Sequence, residues 1–77
     1  LSGADLTLSK LSNSYFKGAV LKNVVFFGSD MSSGNFSGAD FTDADLTDAK
    51  IKDANLSGAI FCRTTMPSGE KNNSGCN

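Results

Sequence analysis

A large apolar side chain returns at every fifth position of this chain, and the register never slips. It falls at Leu1, Leu6, Leu11, Phe16, Leu21, Phe26, Met31, Phe36, Phe41, Leu46, Ile51, Leu56, Phe61 and Met66. Of the seventeen Leu, Ile, Met and Phe residues only Leu8, Phe27 and Ile60 lie outside that slot, so the repeat accounts for nearly all the core-forming side chains. Two residues before each later apolar position sits a small one, such as Ala39, Ala44, Ala49, Ala54 and Ala59, with Val24 as the one bulky exception. Self-similarity at a fixed period overrides ordinary helix or strand reading.

A period of five excludes both regular elements. On an α-helix every fifth residue steps about 140° around the axis, so these side chains would be spread over all faces and no buried stripe would form. In a straight strand an odd repeat sends alternate apolar residues to opposite faces. The spacing therefore predicts a bend in every pentad, always in the same sense, with the apolar residue and the small one before it pointing inward. Repeated bending winds a coil, and coils stacked at about 4.8 Å can bond backbone to backbone. That architecture is a β-solenoid, in which each repeat contacts only its neighbours.

The order small residue, Asp or Asn, Leu or Phe, then two variable residues is seen in Ala39-Asp40-Phe41-Thr42-Asp43 and Ala44-Asp45-Leu46-Thr47-Asp48. It resembles the pattern of the pentapeptide-repeat family over residues 1–66. The resemblance implies an all-β, right-handed quadrilateral parallel β-helix with four pentads per coil and about three coils here. An irregular capping tail over 67–77 would follow. Lys10, Tyr15, Val20, Val25, Lys50 and Ile60 depart from the usual Asp or Asn, at a slot that points outward in the family. Four interior columns follow: Leu1, Leu21, Phe41, Phe61; Leu6, Phe26, Leu46, Met66; Leu11, Met31, Ile51; and Phe16, Phe36, Leu56. Val24 should be the tightest place inside.

The repeat stops at Pro67, which cannot donate to a backbone ladder. The turn-forming stretch Ser68 to Gly75 that follows is bracketed by the only two cysteines, Cys62 and Cys76. A disulfide between them would fold the tail back over the last coil and contribute roughly 3 kcal/mol by closing that loop. Metal binding is disfavoured with two Cys and no His, while a redox switch stays open beside a structural bridge. The segment from Phe61 to Cys76 resembles the closing segment of chloroplast-lumen and cyanobacterial members of the family. With the oxidising chemistry a disulfide needs, this implies the thylakoid lumen first and the periplasm second.

Net charge is −1 without a basic cluster, which argues against nucleic-acid binding. No apolar run reaches the roughly 18 residues of a membrane span. Asp40, Asp43, Asp45, Asp48 and Asp53 crowd together but do not match an EF-hand loop, and no metal or other cofactor is expected. Some family members resemble DNA in shape and charge and bind topoisomerases or gyrase. Here Lys50 and Lys52 interrupt the acidic run, and Lys10, Asp30 and Lys50 should share an outer column as alternating charges. With no His and a filled interior no catalytic site is expected, which leaves a structural or protein-binding module of unknown partner, with the DNA mimic as its alternative.

Three local features stand out. Leu8, Val25 and Phe27 should share one outer wall as a small apolar patch, either for docking or as ordinary surface hydrophobes with a slight bulge at Val24 tucking Phe27 in. The sequons at Asn35, Asn55 and Asn72 could take sugar, or could simply follow from a repeat of Asn, apolar residue and Ser. Leu1 already occupies an apolar slot with no initiator Met or signal before it, which reads as a processed or excised piece. The first coil would then expose a β edge that missing upstream sequence, another chain or a crystal neighbour covers.

Overall fold

The computed structural model describes residues 1–76 and builds the chain from one repeated corner. In each pentad from Leu1 to Leu56 the carbonyl of the apolar residue accepts the N–H three residues on, as in Ala4 N to Leu1 O at 3.0 Å and Ala59 N to Leu56 O at 3.1 Å. The third residue of every such turn has a positive φ, the mark of a type II turn, and Arg63 keeps it in the corner that follows. Of the thirteen residues at this position, from Gly3 to Arg63, ten are Gly, Asn or Asp, the types that reach the left-handed region most cheaply. The exceptions are Leu8, Ser33 and Arg63. The bend demanded by the five-residue period is thus written in a second slot, two residues after the apolar one.

Four corners close one coil. The residue before each apolar position bridges in parallel to the residue twenty further on, as in Asp5 to Val25, Val25 to Asp45 and Asp45 to Thr65. Between coils Leu6 N donates to Val25 O at 2.7 Å, and Val25 N donates to Ala4 O at 2.9 Å. The result is a right-handed quadrilateral β-helix. Each wall contributes one bridging residue between two corners, too short for a continuous strand. The bridging passes through Val25 without interruption, so there is no bulge at Val24.

Leu21, Phe26, Met31, Phe36, Phe41 and Leu46 are fully buried, so the second coil and the start of the third carry the core. In the first coil Leu1 is 64% exposed, and Leu6, Leu11 and Phe16 are half-buried. Columns stack as expected: Phe16 lies on Phe36 with ring centroids 5.1 Å apart and planes 6° apart, and Phe41 lies on Phe61 at 5.5 Å and 5°. Val24 is fully buried, and its turn bond to Leu21 O, at 3.3 Å, is stretched beyond the 2.9 Å at Ala44. The small slot also admits Ser29, because its hydroxyl donates to Phe26 O at 2.8 Å and leaves no buried polar atom unpaired.

The last coil ends in a hairpin, β1 (Thr64–Thr65) pairing antiparallel with β2 (Lys71–Asn72), so a short strand lies within the stretch expected to be irregular. Pro67 lacks an N–H, yet its carbonyl still accepts Asp48 N at 3.1 Å. Cys62 and Cys76 form a disulfide with Cα atoms 4.9 Å apart. Beside it Gly75 N donates to Phe61 O at 2.8 Å, an approach so close that a Cβ on Gly75 would lie 3.0 Å from Phe61 N. Asn77, the last residue of the expected tail, lies outside the described residues.

Candidate functional site

With the interior filled by stacked side chains, no cavity or cleft opens among the described residues. Chemistry is confined to the four outer walls and the two ends. Much of the wall surface is tied down by one recurring arrangement, in which an Asp or Asn before the apolar residue accepts from the Ser or Thr after it. Asp40 Oδ1 takes the Thr42 N–H at 3.0 Å and the Thr42 hydroxyl at 2.6 Å, and Asp30 does the same with Ser32 at 3.0 and 2.6 Å. Asp5 and Asp45 repeat it with Thr7 and Thr47. The Ser or Thr hydroxyl is the main cause holding the Asp5, Asp30, Asp40 and Asp45 carboxyls below their ordinary range, with the backbone N–H adding to it. Asn35 occupies the same turn, accepting from Ser37 N at 3.0 Å and Ser37 Oγ at 2.8 Å. Asn55 and Asn72 accept from Ser57 N and Ser74 N at 3.0 and 2.8 Å. All three sequons therefore coincide with this local turn, which supplies a structural reason for the pattern.

Charges on the walls are largely compensated along the columns. Lys10, Asp30 and Lys50 bridge in series, as the register required, and Lys50 adds to the lowering at Asp30. Lys22 Nζ lies 3.8 Å from Asp40 Oδ2. Arg63 grips Asp43 with two bonds, Nε to Oδ1 at 2.8 Å and Nη2 to Oδ2 at 3.1 Å, and this grip is the main cause lowering the Asp43 carboxyl. The same residue donates its backbone N–H to Asn73 Oδ1 at 2.8 Å, so Arg63 joins the third coil to the tail despite its left-handed backbone. Among the described residues no cluster of three or more His, Cys, Asp or Glu is placed to hold a metal ion. No helix there is long and apolar enough to cross a membrane.

One wall differs. Its outer grid has three columns: Asp5, Val25, Asp45 and Thr65; Thr7, Phe27, Thr47 and Pro67; and Leu8, Gly28 and Asp48. Phe27 sits at its centre, 42% exposed, and Val25 is half-buried. Leu8 is 71% exposed and lies across Gly28, with Cδ2 only 2.7 Å from where a Cβ would stand. The three apolar residues singled out from the sequence do come together. Sequence reasoning did not register that Leu8 holds φ at 58°, a conformation costing a branched side chain about 1–2 kcal/mol. The signal was available, because Leu8 breaks the run of Gly, Asn and Asp in its slot.

A four-walled solenoid of type II turns with a filled interior defines a class of repeat protein whose useful surface is its outside. The family model for pentapeptide repeats matches residues 1–38 and 25–61 with eight copies, and the chain belongs to the pentapeptide-repeat family. Its fold is similar to that of HetL, a pentapeptide repeat protein involved in heterocyst differentiation regulation from the cyanobacterium Nostoc. The TM-score is 0.91 at 29% identity, over 94% of this chain and 34% of HetL. It is also similar to a pentapeptide repeat protein from the Arabidopsis thaliana thylakoid lumen, with a TM-score of 0.64 and 29% identity over 86% of this chain and 57% of that one. The chain thus spans about a third of the first and little more than half of the second. No match was found among curated protein sequences.

Proposed function

We propose that this chain is a non-enzymatic, protein-binding repeat module that works in an oxidising compartment, the thylakoid lumen before the periplasm. The observation that carries the binding reading is the contrast between a closed interior and one wall that keeps Leu8, Val25 and Phe27 on its outer side. The Cys62–Cys76 disulfide and the likeness to a lumen protein support the compartment. On this reading the disulfide is structural, holding residues 67–76 over the last coil as a cap on the repeat region 1–66.

Cross-linking in a thylakoid-lumen extract tests the module. A partner whose cross-links map to one wall, with the protein oxidised, is the expected result. Uniform or absent cross-linking refutes the reading. A gyrase supercoiling assay addresses the DNA-mimic alternative, against which the compensated columns Lys10, Asp30, Lys50 and Asp43, Arg63 weigh. No inhibition is expected.

A further inference from the structure

Leu8 is held in a left-handed backbone conformation and is mostly exposed, so it carries strain without the compensation of burial. The other large side chain in that slot, Arg63, is accounted for by its double bond pair with Asp43 and its link to Asn73. Nothing comparable holds Leu8, whose side chain rests on the bare Gly28 beside Phe27. Residues held in sparsely populated backbone regions cluster at functional sites, so an unsupported one motivates a search for a role. The second observation is electrostatic. The wall bearing Leu8 and Phe27 has Asp5, Asp45 and Asp48 around its apolar residues and no basic residue within its own pentads, whereas the other three walls carry Lys10, Lys50 and Lys52, then Lys17, then Lys22 and Arg63. Lys71 approaches from the tail edge and adds a minor attraction at Asp45. Thr7 and Thr47 engage only Oδ1 of Asp5 and Asp45, leaving Oδ2 of each free for a cation.

We propose that this wall docks a basic protein segment that places a large apolar side chain on the Leu8–Phe27 ledge and its Lys or Arg side chains against Asp5, Asp45 and Asp48. The inference rests on the reading of the chain as a binding module and names the chemistry of its partner. The sign of the rim excludes phosphate-bearing surfaces, whether nucleic acid or anionic membrane. The wall's backbone is spent on coil-to-coil bonds, as in Leu8 N to Phe27 O at 2.8 Å and Gly28 N to Thr47 O at 2.9 Å. The partner therefore binds through side chains and not as an added strand.

The test is fluorescence anisotropy of a labelled short peptide alternating lysine with leucine and phenylalanine, against a control with glutamate in place of lysine. Saturable binding of the basic peptide that weakens with salt is expected, with no binding of the control. Leu8→Asn and Phe27→Ser should each weaken it about tenfold, and Asp48→Asn should flatten the salt dependence. Leu8→Asn should melt no lower than the parent, which separates lost docking from lost folding. Absent binding of the basic peptide, equal binding of the acidic one, or undiminished binding by Leu8→Asn overturns the proposal. So does self-association that Lys17→Ala and Lys22→Ala abolish, since the wall would then serve a second copy. Cross-links mapping to a different wall would sink this proposal while leaving the binding module standing, and absent cross-links would sink the module itself.

Discussion

Gly34 occupies a small slot that elsewhere accepts Ala, Ser, Thr and even Val, and replacing it with Ala tests the packing of the core. A Cβ there would lie 2.5 Å from Phe36 Cε2, 3.3 Å from Phe36 Cδ2 and 3.1 Å from Met31 O. Carbon atoms pack best at about 3.5–4.0 Å, so the ring edge would have to retreat by about 1 Å. It has nowhere to go: Phe36 is fully buried, stacked on Phe16 at 5.1 Å and tilted against Phe41 at 5.8 Å. Overpacking of this kind costs about 1–3 kcal/mol. Because Gly34 has no positive φ, Ala also gains about 0.4–1 kcal/mol by restricting the unfolded chain. The net loss is about 1–2 kcal/mol, and at roughly 4–8 °C per kcal/mol for a domain this size the melting temperature should fall by on the order of 4–15 °C. Circular dichroism melts and urea titration of the oxidised protein measure it. In a Phe36→Leu background, itself destabilised by the lost ring, Gly34→Ala should cost little, giving a favourable coupling energy in the double-mutant cycle. If Gly34→Ala melts at or above the parent, the ring moves freely and the column is not the rigid stack described above.

Further outcomes follow from the same geometry. Leu8→Asn should stabilise the protein by about 1 kcal/mol in urea titration, since Asn tolerates the left-handed region; a loss would mean that the Leu8 contact on Gly28 outweighs the strain. Reducing the Cys62–Cys76 bridge should cost roughly 3 kcal/mol and expose amides of residues 61–76 to hydrogen exchange before those of the second coil, and unchanged exchange would show that the hairpin holds without it. Asp5, Asp30, Asp40, Asp43 and Asp45 all have carboxyls lowered in the folded state. Their stabilisation is therefore present above the unfolded value of 3.8 and is lost as pH falls through the lower folded values. Thermal melts should weaken in that acid window and be flat above it. Asp40→Asn with Asp45→Asn should blunt the loss, because Asn35 shows that Asn serves the same turn.

The sequence by itself determined the solenoid. An apolar side chain at each fifth place can reach a common axis only if the backbone corners in every unit, and this inference needed no coordinates. The columns pairing Phe16 with Phe36 and Phe41 with Phe61 followed once the family pattern supplied four pentads per coil. The type II corners are also present in the letters, as the run of Gly, Asn and Asp two places after each apolar residue, a signal weaker than the apolar period because three of its thirteen positions break it. Other features had no one-dimensional signature. The pairing of Lys71–Asn72 with Thr64–Thr65 joins residues whose composition reads only as turn, because a two-residue strand carries no periodicity. The acidic frame around Phe27 is assembled from Asp5, Asp45 and Asp48, which lie about twenty positions to either side of it in the chain and come alongside it only when coils stack. Local pattern sets which way each side chain points, whereas the chemistry of a wall is a sum over coils, and that sum exists only in the tertiary structure.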